Sequence, residues 1–235
     1  MEPNHIYQYS LLNALMDGVS STGLPAPTLL QKGTQGIGTF ARMHGELLML
    51  DNHVYQLQAS GSVREADASD RIPFAVVTTF VPEATREVEL PSKGAIDAVL
   101  EAFAPEGRNL FMSYRIDGAF AAVKCRTVRG QTYEGQPLSE LGKTQSVEEY
   151  EGVSGTIVGF RTPRNWQGFG VAGEHLHFID EGRRRGGHVL EVRGQGRVRM
   201  GMAVGANVHV ELPRGGEFAR ARLETDDEGV REVEG

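Results

Sequence analysis

Three of the seven histidines fall inside fourteen residues, in the run Gly173-Glu174-His175-Leu176-His177-Phe178-Ile179-Asp180-Glu181-Gly182-Arg183-Arg184-Arg185-Gly186-Gly187-His188. In an extended strand residues i and i+2 project to one face, so His175 and His177 point together while Leu176 and Phe178 point into a core on the other. The Gly- and Arg-rich stretch can close a hairpin, and a turn about Gly182 and Arg183 brings His188 opposite His177 on the same face. Three neutral imidazoles aimed at one point are the donor set of a catalytic divalent-metal site, with positions left for water or substrate. Zinc is the commonest occupant of such a site. A lone strand histidine reads instead as a solvated polar residue. His5, His44, His53 and His209 have no matching partners and are assigned that role.

A His-x-His pair with Glu181 four positions after the second His is also the start of a cupin metal motif. The rest departs from it: no Gly lies six residues before His175, and no later motif supplies a further histidine. A cupin-like metal oxygenase is therefore the alternative, not the leading reading.

The chain that must position these groups has 235 residues and a mass of 25.6 kDa, enough for one large domain or two small ones with a substantial core. Its formal charge of −7 argues against a general nucleic-acid or anionic-membrane binder. Thirty glycines, about twice the usual share, point to many tight turns and hence many strands rather than a helical bundle. The single Cys125 cannot form an internal disulfide, which makes the cytoplasm the default location. The N-terminus lacks a basic and then apolar leader pattern, and no stretch approaches the roughly 18 apolar residues of a membrane span.

Along the chain, apolar residues at helical spacing predict a helix over 6–17, a short one over 27–32 and a third over 91–103, headed by Pro91. Strand-like runs are expected at 37–43, 46–50, 54–59 and 74–81. Two more, at 110–116 and 119–128, are expected to meet at an Asp117-Gly118 hairpin turn. From 131 to 152 the chain is polar and aperiodic, the best candidate for a connecting segment. Gly-rich strands then resume at 153–161, 175–179, 187–192, 198–203 and 208–212. The acidic residues beyond Glu224 read, by composition alone, as a disordered tail.

The run Gly155-Thr156-Ile157-Val158-Gly159-Phe160-Arg161-Thr162-Pro163, with the Gly173-x-His175-Leu176-His177-Phe178-Ile179 and Gly186-Gly187-His188-Val189-Leu190 segments, resembles the acetolactate decarboxylase family. So do Ile6-Tyr7-Gln8-Tyr9-Ser10, Gly38-Thr39-Phe40, Gly45-Glu46-Leu47, Pro73-Phe74-Ala75 and Arg115-Ile116-Asp117-Gly118-x-Phe120, which spread the likeness over nearly the whole chain. Departures are His44 where Asp is usual, Asn52 for Gly, and Glu174 for an aromatic; the last, beside the histidines, could alter the pocket's charge.

The resemblance implies an α/β (α+β) protein with mixed and antiparallel sheets and a few helices. It implies an N-terminal domain over 1–130, a connection over 131–152 and a β-rich metal-binding domain over 153–235 whose tail returns to the active site. It also implies Zn²⁺ or another divalent metal on His175, His177 and His188, with no organic cofactor, and functional roles for Glu46, Arg126, Thr39 and Glu234. Without it, Glu46 reads as an exposed strand carboxylate, Arg126 as a surface charge beside Lys124, and Glu234 as part of a solvated acidic run with Glu232 as its near neighbour.

The implied reaction is decarboxylation of the small molecule (S)-2-acetolactate to (R)-acetoin and CO2, in acetoin and 2,3-butanediol formation. The metal would act as Lewis acid for the enediolate, Arg126 would hold the carboxylate, and Glu46 or Glu234 would deliver the proton. A homodimer is a further expectation; neither nucleic acid nor membrane is expected as a partner. A second reading comes from a DNA-binding domain of plant and prokaryote proteins, which is similar to half of this fold and shares a Gly-x-His-Leu-His segment. The charge disfavours it, and Arg183-Arg184-Arg185 reads as a solvated hairpin tip.

Overall fold

Strand-forming runs separated by tight turns give the chain two large sheets. In a computed structural model that describes residues 2–224, the first third of the chain supplies β1 (Ile6–Tyr9), β2 (Leu24–Pro25), β3 (Gln35–Thr39), β4 (Glu46–Leu50), β5 (His53–Leu57), β6 (Val63–Glu65), β7 (Arg71–Ile72) and β8 (Phe74–Thr78). The remainder supplies β9 (Ala84–Glu89), β10 (Phe111–Thr127), β11 (Ser146–Thr162), β12 (Gly173–Asp180), β13 (Gly186–Gly194), β14 (Arg197–Gly205) and β15 (Val208–Glu211). Four α-helices accompany them: α1 (Leu12–Met16), α2 (Ala26–Leu30), α3 (Ala95–Phe103) and α4 (Leu138–Gly142).

The first sheet has the order β15-β1-β8-β3-β4-β5-β6, and the second has β11-β12-β13-β10-β14-β9 with β10 also paired to β11. All pairings are antiparallel except β1 with β15, so the first sheet is mixed and takes its edge strand from the far end of the chain. The sheets lie face to face, β3 against β11 and β4 against β12. Ile37, Leu48, Leu50 and Phe74 of the first sheet meet Val158, Phe160 and Ile179 of the second in one apolar layer. A second core, with Tyr114, Ile116, Leu176 and Phe178, lies between the second sheet and α3. A third packs Leu47, Met49 and Tyr7 on the outer face of the first sheet with Leu29 of α2.

Three local expectations are corrected. Residues 6–17 are not one helix: β1 occupies 6–9, Ser10 takes a left-handed φ of 67°, and only Leu12–Met16 is helical. Because β1 is an interior strand buried on both faces, it has no alternation, and its apolar run imitates a helical stripe. Asp117-Gly118 is not a turn. The 17-residue β10 runs straight through it, because Arg115 Nε donates to both Asp117 carboxylate oxygens, at 3.0 and 2.8 Å, and Thr156 Oγ1 donates to Oδ1 at 2.8 Å. Gly118 lies within the strand, where a Cβ would stand 2.9 Å from Cγ1 of Val198 on β14. The polar 131–152 segment contains α4 and the first seven residues of β11. The short helix near Pro27 and the helix ending at Phe103 are present, the latter starting at Ala95 rather than at Pro91. Among the described residues no helix is long and apolar enough to cross a membrane.

Candidate metal centre and active site

Register places the histidines. His177 on β12 is the direct cross-strand partner of His188 on β13, and His175 lies two residues before His177 on the same face. Leu176 and Phe178 enter the core under α3, while Ile179 joins the inter-sheet layer with the His177 face. The turn between the strands is held by Asp180. Its Oδ1 accepts from the backbone N–H groups of Arg184 at 2.7 Å and Arg185 at 3.0 Å, and Oδ2 accepts from Arg185 Nε at 3.2 Å. Burial raises the Asp180 pKa, but these three donations and the Arg185 charge outweigh it and leave the carboxyl below its ordinary range. Arg183 takes the left-handed φ of 54° that the turn requires. Gly186 must be glycine, since a Cβ there would stand 2.3 Å from the Phe178 carbonyl oxygen. The expected result for Asp180→Ala is metal held about 10–100-fold more weakly, read by chelator competition. Unchanged affinity would show that this turn does not set the histidine geometry.

The ligand atoms of His175, His177 and His188 all lie within 4.8 Å of one another. His177 and His188 are fully buried and His175 is 9 % exposed. His177 Nδ1–H donates to the Leu47 carbonyl at 2.7 Å, which fixes the tautomer and leaves the Nε2 lone pair available as a ligand. Burial, then Arg126 and Lys93, pushes the His175 pKa down to about 3. His188 is likewise held well below its ordinary value, by burial and then by Arg126 and the other two imidazoles. His175 and His188 are therefore neutral at ordinary pH, and all three rings direct ligand atoms at a common point. This donor set fits a divalent cation of the zinc type.

The first sheet supplies the facing wall. Glu46, Leu48 and Leu50 alternate with Leu47 and Met49, so the Glu46 carboxylate looks across at the second sheet. Arg126 sits one residue after Cys125, which points into the α3-side core, and so faces the first sheet. Its Nη1 donates to Glu46 Oε1 at 2.7 Å, and the pair is buried, with Arg126 2 % and Glu46 5 % exposed. Glu46 Oε2 lies 3.8 Å from His177 Nε2. Thr39 is the register partner of Glu46, and its hydroxyl donates to the Gly45 carbonyl at 2.8 Å. A hydroxyl has one donor, so Thr39 presents acceptor lone pairs to anything else in the site. Thr39, Glu46, Arg126 and His175 line one narrow pocket, whose apolar walls are Leu12, Leu15, Met43, Phe74, Val128 and Leu138.

Six of the seven sequence-derived site residues thus converge: Thr39, Glu46, Arg126, His175, His177 and His188. Glu234 and its neighbour Glu232 lie outside the described residues. The described chain does return toward the pocket. Glu217 Oε2 accepts from the backbone N–H groups of Ser20 and Ser21 at 3.2 and 3.1 Å, its other oxygen accepts from Ser21 Oγ, and Leu223 N–H donates to Asp17 at 2.9 Å beside α1.

Other expectations resolve as follows. Glu181 is exposed in the turn and stands outside the histidine cluster, unlike a cupin glutamate. Glu174 turns away from the imidazoles: it accepts from the Tyr114 hydroxyl and lies 3.9 Å from Arg161 Nε on the outer face, with burial pushing its pKa up to about 7. It therefore lines a different and larger cleft of about 560 Å³ beside α3, which the histidines do not enter. The four other histidines stay peripheral, for example His53 on Glu65 and His209 stacked on Tyr7. Lys93, whose charge reaches His175 and His188, carried no sequence signal, being an isolated lysine in a loop.

Comparison with known proteins is consistent with this geometry. A family model described as Alpha-acetolactate decarboxylase matches residues 6–225. The alpha-acetolactate decarboxylase of Bacillus subtilis is 37 % identical over 226 residues, covering 95 % of this chain and 88 % of the relative. That of Raoultella terrigena is 37 % identical over 235 residues, covering 97 % and 89 %. The crystal structure of alpha-acetolactate decarboxylase from Bacillus subtilis strain 168 superimposes with a TM-score of 0.93 at 35 % identity, covering 98 % of this chain and 99 % of that one.

Proposed function

The chain belongs to the alpha-acetolactate decarboxylase family, carbon–carbon lyases by that reaction, and from this premise we propose that His175, His177 and His188 hold a divalent metal, zinc first among candidates, that decarboxylation requires. The observation that carries this reading is the convergence of three buried imidazoles, with a buried Arg–Glu pair beside them at one small pocket.

Acetolactate carries its carboxylate β to a ketone, so loss of CO2 leaves an electron pair on the hydroxyl-bearing carbon, delocalised as an enediolate. His175, His177 and His188 would hold the divalent cation, which would supply a Lewis acid for the negative charge that develops as the C–C bond breaks. Arg126, held in orientation by Glu46, offers its positive charge to the substrate carboxylate. Thr39, its own proton committed to Gly45, accepts from the substrate hydroxyl. The apolar walls keep water from competing for the carbanionic carbon, whose bond to CO2 is replaced by a bond to hydrogen. Glu46 or Glu234 delivers that proton, and delivery from one fixed side yields a single acetoin enantiomer, (R) from (S)-acetolactate.

The anchoring of Glu217 and Leu223 beside α1 supports a tail that reaches this pocket. On that reading Glu234→Gln lowers kcat by about 10²–10⁴, the range for loss of a positioned general acid, while Glu232→Gln leaves it near wild type. Equal rates for both variants would contradict the tail assignment. The function itself is tested by supplying acetolactate and measuring acetoin and CO2 in equal amounts; failure of the wild-type protein to form acetoin refutes it.

A further inference from the structure

Four side chains of the pocket wall, Leu12 and Leu15 of α1, Met43 and Leu138 of α4, come from three separate segments of chain. Their common tether is Gln131, which is only 8 % exposed and uses every polar group of its side chain. Its Nε2 donates to the Gly18 carbonyl at 2.7 Å, just beyond α1, and to the Gln136 carbonyl at 2.9 Å, just before α4. Its Oε1 accepts from Ser20 Oγ at 2.8 Å. Its backbone N–H donates to the Arg42 carbonyl at 2.7 Å. Each segment is thus gripped within a few residues of its wall side chain: Leu15 three before Gly18, Met43 one after Arg42, and Leu138 two after Gln136.

The Arg42–Met43 link needs gripping. Both residues are non-glycine with left-handed φ, 59° and 53°, a conformation that persists only where the surroundings impose it. Ser20 and Gln131 impose it from both sides, since Arg42 N–H donates to the Ser20 carbonyl at 2.7 Å and the Arg42 carbonyl receives Gln131. Glu46 follows this turn directly, and Met43 is fully buried against the pocket.

We propose that Gln131 is a positioning residue that locks the apolar wall of the pocket, and that this locked wall sets how large an alkyl group on the 2-hydroxy-3-oxo acid the enzyme accepts. The proposal rests on the decarboxylase reading above. A purely structural glutamine would affect all substrates alike; a wall-setting one changes their ratio, because a well-packed apolar pocket discriminates a single methylene by about 10–200-fold.

The test compares kcat/KM for acetolactate and for its ethyl homologue in wild type, Gln131→Met, Ser20→Ala and Leu138→Ala, with metal content confirmed for each. Gln131→Met preserves side-chain length while removing the three side-chain hydrogen bonds. It is expected to lower kcat/KM for acetolactate more than for the ethyl homologue and to shrink the methyl-over-ethyl preference about tenfold. Leu138→Ala opens the wall without touching the tether and shifts the ratio in the same direction. Ser20→Ala removes one of the tether's bonds, gives a smaller shift, and carries the test if Gln131→Met does not fold. A ratio equal to wild type in the folded tether variants overturns the proposal, even if both rates fall. A wild-type protein that forms no acetoin at all contradicts the decarboxylase reading and the proposal with it.

Discussion

His177→Ala is expected to lose bound metal and acetoin formation together, the rate falling by about 10²–10³ or more, the range for removing one preorganised electrostatic group from an active site. His177 is the most constrained of the three ligands. It is fully buried, it is paired in register with His188, and its ring is oriented by the Leu47 carbonyl of the opposite sheet. Alanine deletes the ligand while the strand keeps its pairing to Val158 on β11. Elemental analysis of the purified variant and an acetoin assay check the prediction side by side. His53→Ala, which removes an exposed imidazole paired with Glu65 and stacked on Tyr55, leaves both unchanged. A His177→Ala protein that retained stoichiometric metal would refute the ligand assignment.

The second large effect belongs to the Arg126–Glu46 pair. Its 2.7 Å contact is buried on both sides. Removing one partner leaves the other charge buried without this contact, a loss of about 3–5 kcal/mol from the roughly 5–15 kcal/mol that hold a domain together. Arg126→Met therefore lowers the melting temperature by several degrees, at about 2–4 °C per kcal/mol for a chain of this size. It also lowers kcat/KM by about 10²–10⁴, because the group that meets the substrate carboxylate is gone. Calorimetry and steady-state kinetics separate the two losses. Adding Glu46→Gln to Arg126→Met removes the remaining buried charge and restores part of the stability while activity stays low. Recovery of activity in the double variant would show that the pair is structural only.

Much of the site was legible in the sequence because it lies on strands, where alternation and register are simple geometry. The i, i+2 spacing of His175 and His177, and a turn centred near Gly182 and Arg183, were sufficient to place His188 opposite His177. Glu46 and Arg126 were not legible in that way. Each looks like an ordinary surface charge until its partner on another sheet is known, 80 residues away, and only the family resemblance singled them out. Gln131 was hidden inside a stretch that composition marks as a polar connection, since polarity does not reveal whether an amide faces water or three carbonyl and hydroxyl partners.

The fold misreadings have the same origin in non-local pairing. β1 lies between β8 and β15 in an interior position, so its apolar residues follow no period, and the partner that buries it is 202 residues distant in the Ile6–Val208 register. Asp117-Gly118 carries the dipeptide of a tight hairpin, yet the strand pairs with β11 through both residues and with β14 as far as Asp117. A local turn preference worth about 1 kcal/mol or less is outweighed by continuous ladder pairing.

The most direct test of the central claim is acetoin formation by one protein sample before chelation, after chelation to a metal-free state, and after addition of zinc. The three-histidine account predicts loss of activity with the metal, recovery with zinc, and saturation of that recovery at one ion per histidine trio. Full activity in protein shown by elemental analysis to be metal-free would contradict it.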